Sequence, residues 1–128
     1  MHVAITCDTA PKAIGPYSQA VRAGQFLFLS GQVPIDAATG TLVAGGIEVQ
    51  THCLMRNIGE ILKTAGTSYH SIVRTTVFLA DMADFAAMNV VYGSYFRPPA
   101  PARATVQVVR LPKDARIEID VIAFVADE

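Results

Sequence analysis

This sequence has few charged residues, and their scarcity is its first informative feature. Lysine, arginine, aspartate and glutamate make up 16% of the 128 residues, and hydrophobic residues make up 52%. An average globular chain carries about 25% charged residues, and a small monomer needs polar groups to cover its large surface. The shortage favours burial of part of the surface against another chain, although a chain simply rich in alanine and valine would explain it too.

No strongly basic segment is present. The ten lysine and arginine residues are scattered along the chain, the formal net charge is −1, and the pI is near 6.3. A nucleic-acid-binding protein usually concentrates cations in one patch, because neutralising phosphates supplies most of its affinity. The composition therefore argues against a nucleic-acid partner.

Long apolar runs are also absent. No run approaches the ~18 residues that a membrane span requires. Residues 1–9 lack the apolar core of a secretory signal peptide. We therefore expect no membrane association and a cytoplasmic location.

Cysteine is scarce, and the potential metal ligands are dispersed. Cys7 and Cys53 form no Cys-x-x-Cys pair, which favours two free thiols in a reducing compartment and leaves a disulfide unsupported. The histidines, His2, His52 and His70, show no metal-ligand spacing. We therefore predict neither a metal ion nor another cofactor.

Apolar periodicity predicts one α+β domain over residues 1–128. It indicates strands over 18–22 and 26–33, a helix over 47–65, a strand over 73–80, a helix with its apolar stripe between 85 and 96, and two final strands. Gly66 is placed to end the first helix, and Asp81 or Asp84 can cap the second. The order β-β-α-β-α-β-β predicts a mixed sheet with both helices on one face.

The two final strands contain the strongest candidates for a site. Residues 101–109 and 116–122 alternate around a Leu-Pro-Lys-Asp turn, which predicts a β-hairpin. Arg103 and Glu118 interrupt these otherwise apolar runs. Arginine fits a carboxylate with two parallel hydrogen bonds, and a glutamate can take or give a proton. If the hairpin brings Arg103 and Glu118 to one pocket, the two side chains form a small-molecule site. Each is also compatible with an ordinary surface residue.

The last strand is apolar on both faces toward its end. Its buried-type residues are Ile119, Val121 and Ala123 on one face and Ile122 and Phe124 on the other. A strand buried on both sides needs a second cover, and the two helices supply only one. We therefore expect another subunit to cover the second face.

Four segments resemble, in order, the motifs of the RidA/YjgF family of 2-iminobutanoate/2-iminopropanoate deaminases, also called endoribonuclease L-PSP. They are residues 13–20 (AIGPYSQA), residues 30–34 (SGQVP), residues 75–82 (TTVFLADM) with Phe85 and Asn89, and the P-A-R, L-P-K-x and I-E-I elements within residues 101–119. The resemblance spans nearly the whole chain. It implies the chorismate-mutase-like (YjgF) fold and a homotrimer around a central sheet barrel, with a site in each intersubunit cleft.

The resemblance also implies roles for single residues. Arg103 matches the arginine that holds the substrate carboxylate, and Glu118 matches the carboxylate that positions water. Tyr17, Ser30 and Gly31 match residues that line the substrate pocket.

Other positions are expected to support or modify this pocket. Thr105 occupies a pocket position that is cysteine in some family members, so a hydroxyl replaces a thiol there. The loop of residues 97–100 is shorter than in the best-known members and flanks Arg103. Asp120 is interpreted as structural, and Asn89 as a helix-to-loop hydrogen bonder rather than a catalyst.

The reaction implied is hydrolytic deamination of short 2-imino or enamine acids such as 2-aminoacrylate. Water adds to C2 and ammonia leaves, which produces a 2-keto acid without a metal or cofactor. Two alternatives stay open. A non-catalytic carboxylate-binding or regulatory trimer would need Arg103 but no acid/base residue. A ribonuclease or translation inhibitor is disfavoured by the absence of a basic patch and of paired histidines.

Overall fold

Six strands and two α-helices form the part of the chain that the computed structural model describes, residues 1–126. The elements are β1 (Val3–Ile5), β2 (Ala20–Ala23), β3 (Phe26–Gln32), α1 (Ile47–Thr64), β4 (Ile72–Leu79), α2 (Phe85–Gly93), β5 (Ala102–Gln107) and β6 (Ile117–Phe124). The α+β class and all the predicted helices and strands are confirmed. β1 is an additional strand, whose three residues are too few to show a strand period. The predicted domain extends to residue 128, and its last two residues lie outside the described range.

All six strands belong to one sheet in the order β1-β2-β3-β6-β4-β5. Every neighbouring pair is antiparallel except β4 and β5, which run parallel. Parallel neighbours need a crossover, and α2 provides it. The sheet is therefore mixed, as predicted.

The predicted hairpin of β5 and β6 is wrong, because β4 lies between these two strands. The segment that joins them crosses the end of β4. The N–H of Val108 donates to the carbonyl of Leu79 at 2.9 Å, and the N–H of Ala80 donates to the carbonyl of Arg116 at 3.0 Å. Both alternating runs thus pair with β4 instead of each other, because alternation identifies a strand but not its neighbour.

The helix ends follow local chemistry. Gly66 adopts a φ of +88°, and its N–H donates to the Lys63 carbonyl while that of Thr67 donates to the Leu62 carbonyl. This left-handed end of α1 confirms the role predicted for Gly66. Before α2, the Asp81 carboxylate accepts the N–H of Ala83 at 2.9 Å and caps a 3-10 turn over Met82–Asp84. Asp84, at the start of α2, makes no side-chain cap bond, so neither aspartate caps α2 directly. The helix ends at Gly93. Tyr95 and Phe96, the last two aromatic residues of the predicted stripe, therefore lie beyond it.

Both helices cover the same face of the sheet. The core between α1 and the strands includes Leu54, Ile58, Leu62, Leu29, Val77, Ile119 and Val121. The opposite face has no cover among residues 1–126. We call it the open face, and Phe26, Phe28 and Phe124 mark it, with 47%, 41% and 40% of their surface exposed.

The open face is an apolar surface on a chain with few charges. The rings of Phe26 and Phe124 meet edge to face with centroids 6.4 Å apart. On β6, Ala123 is buried beneath the helices while Phe124 is exposed on the open face. The prediction of a last strand apolar on both faces is confirmed. Contiguous exposed aromatic residues mark surfaces that bind a partner.

Candidate active site

Arg103 and Glu118 lie on opposite faces of the sheet. Arg103 is opposite Thr75 of β4, and Thr75 is only 1% exposed beneath the helices. Glu118 is opposite Phe78 of the same strand. Directly opposed residues share a face, and successive residues alternate. Because Thr75 and Phe78 are three residues apart, Arg103 is on the helix side and Glu118 on the open face. A single chain therefore does not place the two side chains in one pocket.

The helix-side group, which we call the arginine half-site, comprises Arg103, Thr105, Phe85, Asn89 and Tyr92. The Cζ of Arg103 lies 5.5 Å from the ring centroid of Phe85 and 5.0 Å from that of Tyr92. Two aromatic faces thus hold the guanidinium. Its N–H groups donate to no other residue described, so they remain available to a carboxylate.

Tyr92 anchors the arginine half-site to β4. Its hydroxyl and that of Thr75 are 2.8 Å apart, within hydrogen-bond distance. Burial raises the pKa of Tyr92, while the hydrogen bond to Thr75 and the charge of Arg103 lower it by less. The phenol therefore stays neutral at physiological pH and supports Arg103 through its ring.

Two side-chain oxygens of the arginine half-site are buried without a partner: Oγ1 of Thr105 and Oδ1 of Asn89. Thr105 is opposite Val77, on the same face as Arg103. The hydrogen bond to a loop predicted for Asn89 is not made by its Oδ1. Sequence reasoning thus left Asn89 out of the site. Its helical spacing from Phe85 and Tyr92 was the signal that could have included it.

The other group, which we call the glutamate half-site, comprises Glu118, Gly31, Ser30 and Tyr17. Strand β3 has a bulge here, since Leu29 is opposite Val121 and Gln32 is opposite Ile119. Ser30 and Gly31 therefore both face a single residue of β6. Extra residues of this kind re-aim backbone and side chains next to functional sites.

Gly31 lies directly against the carboxyl group of Glu118. A Cβ added to Gly31 would be 2.9 Å from the Cδ of Glu118, which is shorter than real side-chain contacts. Only glycine lets the backbone approach the carboxylate this closely. The bulge in β3 is therefore a means of bringing backbone next to Glu118.

Ser30 ties the segment that carries Tyr17 to the bulge. Its hydroxyl donates to the carbonyl of Ser18 at 2.6 Å, so it is left mainly as an acceptor toward a ligand. Tyr17 is 51% exposed, and its hydroxyl accepts the N–H of Ile14 at 3.2 Å. The phenol ring is therefore held at the surface, on the segment that the Ser30 hydroxyl ties to β3.

Glu118 has the electrostatics of a proton acceptor. Partial burial and, secondarily, the neighbouring carboxylate of Asp120 raise its pKa above the ordinary value. It has no hydrogen-bond or ion-pair partner among residues 1–126. A carboxylate without a cation beside it, and with a raised pKa, is a stronger base than an exposed glutamate.

A cavity of about 430 Å³ lies at the start of β4 and β5, next to the arginine half-site, since Phe96 in its lining packs against Tyr92. Its lining includes Tyr69, Tyr95, Phe96 and the loop over 97–101. The loop over 97–100, expected to flank Arg103, borders this cavity, whose lining continues to Ala102, the residue before Arg103.

The structure assigns no metal centre in the part of the chain described. No group of three or more His, Cys, Asp or Glu side chains there could hold a metal ion. Cys7 and Cys53 are buried and free. Over the same residues, no helix is long and apolar enough to cross a membrane.

Comparisons with known proteins cover almost the whole chain. The family model described as endoribonuclease L-PSP matches residues 7–125. The 2-iminobutanoate/2-iminopropanoate deaminase of Mus musculus is 48% identical over 93% of this chain and 88% of its own length.

Two solved structures have the same fold. A crystal structure of a putative endoribonuclease from Thermotoga maritima superimposes with a TM-score of 0.95 and 46% identity, over 99% of this chain and 100% of that one. The structure of E. coli TdcF with bound serine has a TM-score of 0.92 and 40% identity, over 97% of this chain and 99% of the other.

Proposed function

This chain belongs to the endoribonuclease L-PSP family, also known as the RidA/YjgF family, and we propose that as a single domain it hydrolyses short 2-imino acids. The substrates are of the 2-aminoacrylate type, and the products are a 2-keto acid and ammonia. The observation that carries the proposal is the complementary chemistry of the two half-sites. One offers a guanidinium with unused donors, and the other offers an unpaired carboxylate with a raised pKa.

We further propose a homotrimer in which the arginine half-site of one protomer meets the glutamate half-site of the next. The two half-sites occupy opposite faces of one sheet, so a second copy is needed to complete each site. The open face supports this assembly, because burying Phe26, Phe28 and Phe124 removes exposed apolar surface from water. Three such faces around one axis form the central sheet barrel that the family resemblance implies.

In the reaction, Arg103 takes the substrate carboxylate through paired hydrogen bonds. This fixes C2 of the imine close to the neighbouring protomer's carboxylate. Glu118 holds a water molecule and accepts its proton as the oxygen bonds to C2. Glu118 passes this proton to the substrate nitrogen, which gives a neutral carbinolamine. Glu118 then takes the proton of the carbinolamine hydroxyl and returns it to the amino nitrogen, so that the C–N bond breaks, the carbonyl of the 2-keto acid forms and ammonia leaves.

Tyr17, Ser30 and Gly31 complete the pocket on the glutamate side. The Tyr17 ring closes over the substrate, and the backbone at Gly31 approaches it next to Glu118. Thr105 contributes a hydroxyl on the arginine side, so no thiol takes part.

The proposal requires no cofactor, nucleic acid or membrane. The two free thiols, Cys7 and Cys53, support a reducing location such as the cytoplasm. The second candidate function is a carboxylate-binding trimer without catalytic activity. It is supported by the structure of E. coli TdcF, a relative that has serine bound. The unpaired Glu118 favours hydrolysis over binding alone.

The test is a coupled assay in which 2-aminoacrylate is generated in situ by serine dehydration and its disappearance is followed with and without this protein. Glu118→Gln is nearly isosteric and keeps an acceptor oxygen but cannot take a proton. We expect it to lose about 10²-fold in hydrolysis, at the low end for acid–base residues because the imine already hydrolyses in water. It should still bind 2-oxobutanoate in calorimetry, whereas Arg103→Ala should lose both.

Arg110→Ala serves as the matched control. Arg110 is paired with Asp114 on the exposed connecting segment, and the variant should behave as wild type in both assays. Hydrolysis by Glu118→Gln at the wild-type rate would remove the acid/base role. Wild type that binds 2-oxobutanoate but never accelerates imine loss would establish the carboxylate-binding trimer instead.

A further inference from the structure

Two buried oxygens in the arginine half-site have no explanation within the chain itself. The Oδ1 of Asn89 and the Oγ1 of Thr105 are both buried and make no hydrogen bond to any residue described. Buried polar side-chain atoms almost always have a partner, so each exception points to a group that is added later. Two exceptions beside one guanidinium point to a single added group.

Helical spacing places Asn89 next to the guanidinium of Arg103. Phe85, Asn89 and Tyr92 are at positions i, i+4 and i+7 of α2, which lie on one face of a helix. The Cζ of Arg103 is 5.5 Å from the first of these rings and 5.0 Å from the second. Asn89 is thus on the helix face that packs against the guanidinium, between the two aromatic residues that hold it.

Thr105 approaches the same point from the sheet. It is two residues beyond Arg103 on β5, and both side chains are on the helix side. One set of donors and two unpaired oxygens therefore converge at this part of the edge strand.

The chemistry of these oxygens differs from that of Arg103. The guanidinium can only donate, and it suits the substrate carboxylate. An amide oxygen can only accept, and a threonine hydroxyl can accept or donate. The atom bonded to C2, next to the carboxylate, is a nitrogen that has one N–H in a neutral imine and two in an enamine or a protonated imine. It is an oxygen with lone pairs alone in the keto acid product.

We propose that Asn89, assisted by Thr105, accepts hydrogen bonds from the substrate nitrogen and makes the site selective for 2-imino and 2-amino acids over 2-keto acids. This inference rests on the proposed function and assigns the specificity of the same site. Before reaction the two N–H groups of an enamine or a protonated imine pair the two oxygens, one each. After ammonia leaves, Oδ1 of Asn89 faces the keto oxygen, which cannot donate. Product binding is thereby weakened and release is favoured.

The experiment compares a nitrogen-bearing ligand with a 2-keto acid of similar size. Asn89→Leu keeps the approximate shape and removes the acceptor. Thr105→Val does the same for the hydroxyl, and Thr105→Ser restores it. Val90→Leu, on the same helix but exposed, controls for changes in α2. For each variant, kcat/KM is measured with 2-aminoacrylate generated in situ, and Kd by calorimetry for L-serine and 2-oxobutanoate. Thermal unfolding and particle mass confirm that each variant is assembled.

We expect Asn89→Leu to lose roughly 10–100-fold in kcat/KM and in L-serine affinity, because it leaves a substrate N–H without an acceptor. Its Kd for 2-oxobutanoate should stay within about twofold. Thr105→Val should lose several-fold in the same direction, with recovery in Thr105→Ser and no effect in Val90→Leu. Equal weakening of all ligands would mean that Asn89 only supports packing, and would overturn the proposal. Selective weakening of 2-oxobutanoate would overturn it too, since the amide would then donate.

The two proposals fail in different ways. If wild type hydrolyses no imine, the proposed reaction is wrong, but the ratio of L-serine to 2-oxobutanoate affinity still decides the role of Asn89. If Asn89→Leu does not assemble, the Thr105→Val and Thr105→Ser pair decides it. An unchanged affinity ratio in Thr105→Val would then overturn the proposal.

Discussion

Two inactive variants of this protein should restore activity to each other when they are assembled together. Arg103 and Glu118 are two strands apart, with β4 between them, and their positions opposite Thr75 and Phe78 are offset by three residues. With strands ~4.8 Å apart and a rise of ~3.3 Å per residue, their Cα atoms are about 14 Å apart. Their side chains also leave the sheet in opposite directions. A small 2-imino acid cannot reach both within one chain.

The expected recovery follows from how each site is composed. In an equal mixture of Arg103→Ala and Glu118→Gln chains, a site is intact only when the first protomer supplies Arg103 and the next supplies Glu118. Each condition holds in about half of the cases, so about one quarter of the sites are intact in random closed rings. The mixture should therefore show about 25% of wild-type hydrolysis, although either variant alone shows almost none.

The two chains are co-expressed in equal amounts, purified through one tag common to both so that no assembly is selected by its composition, and compared in the in situ 2-aminoacrylate assay. A second mixture, of wild type with the double variant Arg103→Ala/Glu118→Gln, is the matched control. It should also retain about a quarter of the activity, whereas sites contained within one chain would retain about half. Mixed assemblies that form but show no recovered activity would refute the opposite-face reasoning.

Four further outcomes are expected. Light scattering should report about 41 kDa, three times the 13.7 kDa chain, and a monomer at micromolar concentration would remove the shared site. The acid limb of kcat/KM against pH should lie above the ordinary glutamate range, because Glu118 must be ionised to take a proton and burial, then Asp120, raises its pKa. Asp120→Asn should move that limb to lower pH, and an unmoved limb would contradict the coupling. The raised pKa also means that the folded state loses stability as pH rises and Glu118 ionises. Thermal unfolding should therefore show a higher Tm for Glu118→Gln than for wild type at pH 7, but not at pH 3, where Glu118 is protonated in both the folded and the unfolded state. Gly31→Ala should displace the Glu118 carboxylate, whose Cδ would be 2.9 Å from the new Cβ, and reduce hydrolysis at least about 10-fold. Gly46→Ala, where a Cβ meets nothing within 4 Å, should not, and equal activity of the two variants would show that the close approach is unimportant.

The site chemistry could be predicted from the sequence to the extent that it depends on residue type. Arg103 and Glu118 stood out because each interrupts an apolar run, and a guanidinium or carboxylate has the same chemistry wherever the chain places it. Asn89 was not recognised as part of the site. Its significance depends on a missing hydrogen-bond partner, and only the packed structure reveals that.

What the sequence by itself determined about this protein is its local structure. The 3.6-residue period of α1, the left-handed end at Gly66 and the two apolar faces of the last strand depend on residues close together in the chain, whose side chains and backbone interact directly. The tertiary structure alone decided which strands are neighbours. β4 separates β5 from β6 because backbone groups far apart in sequence, such as the Val108 N–H and the Leu79 carbonyl, pair across the sheet. No local pattern encodes that pairing, and it is what directs Arg103 and Glu118 to opposite faces.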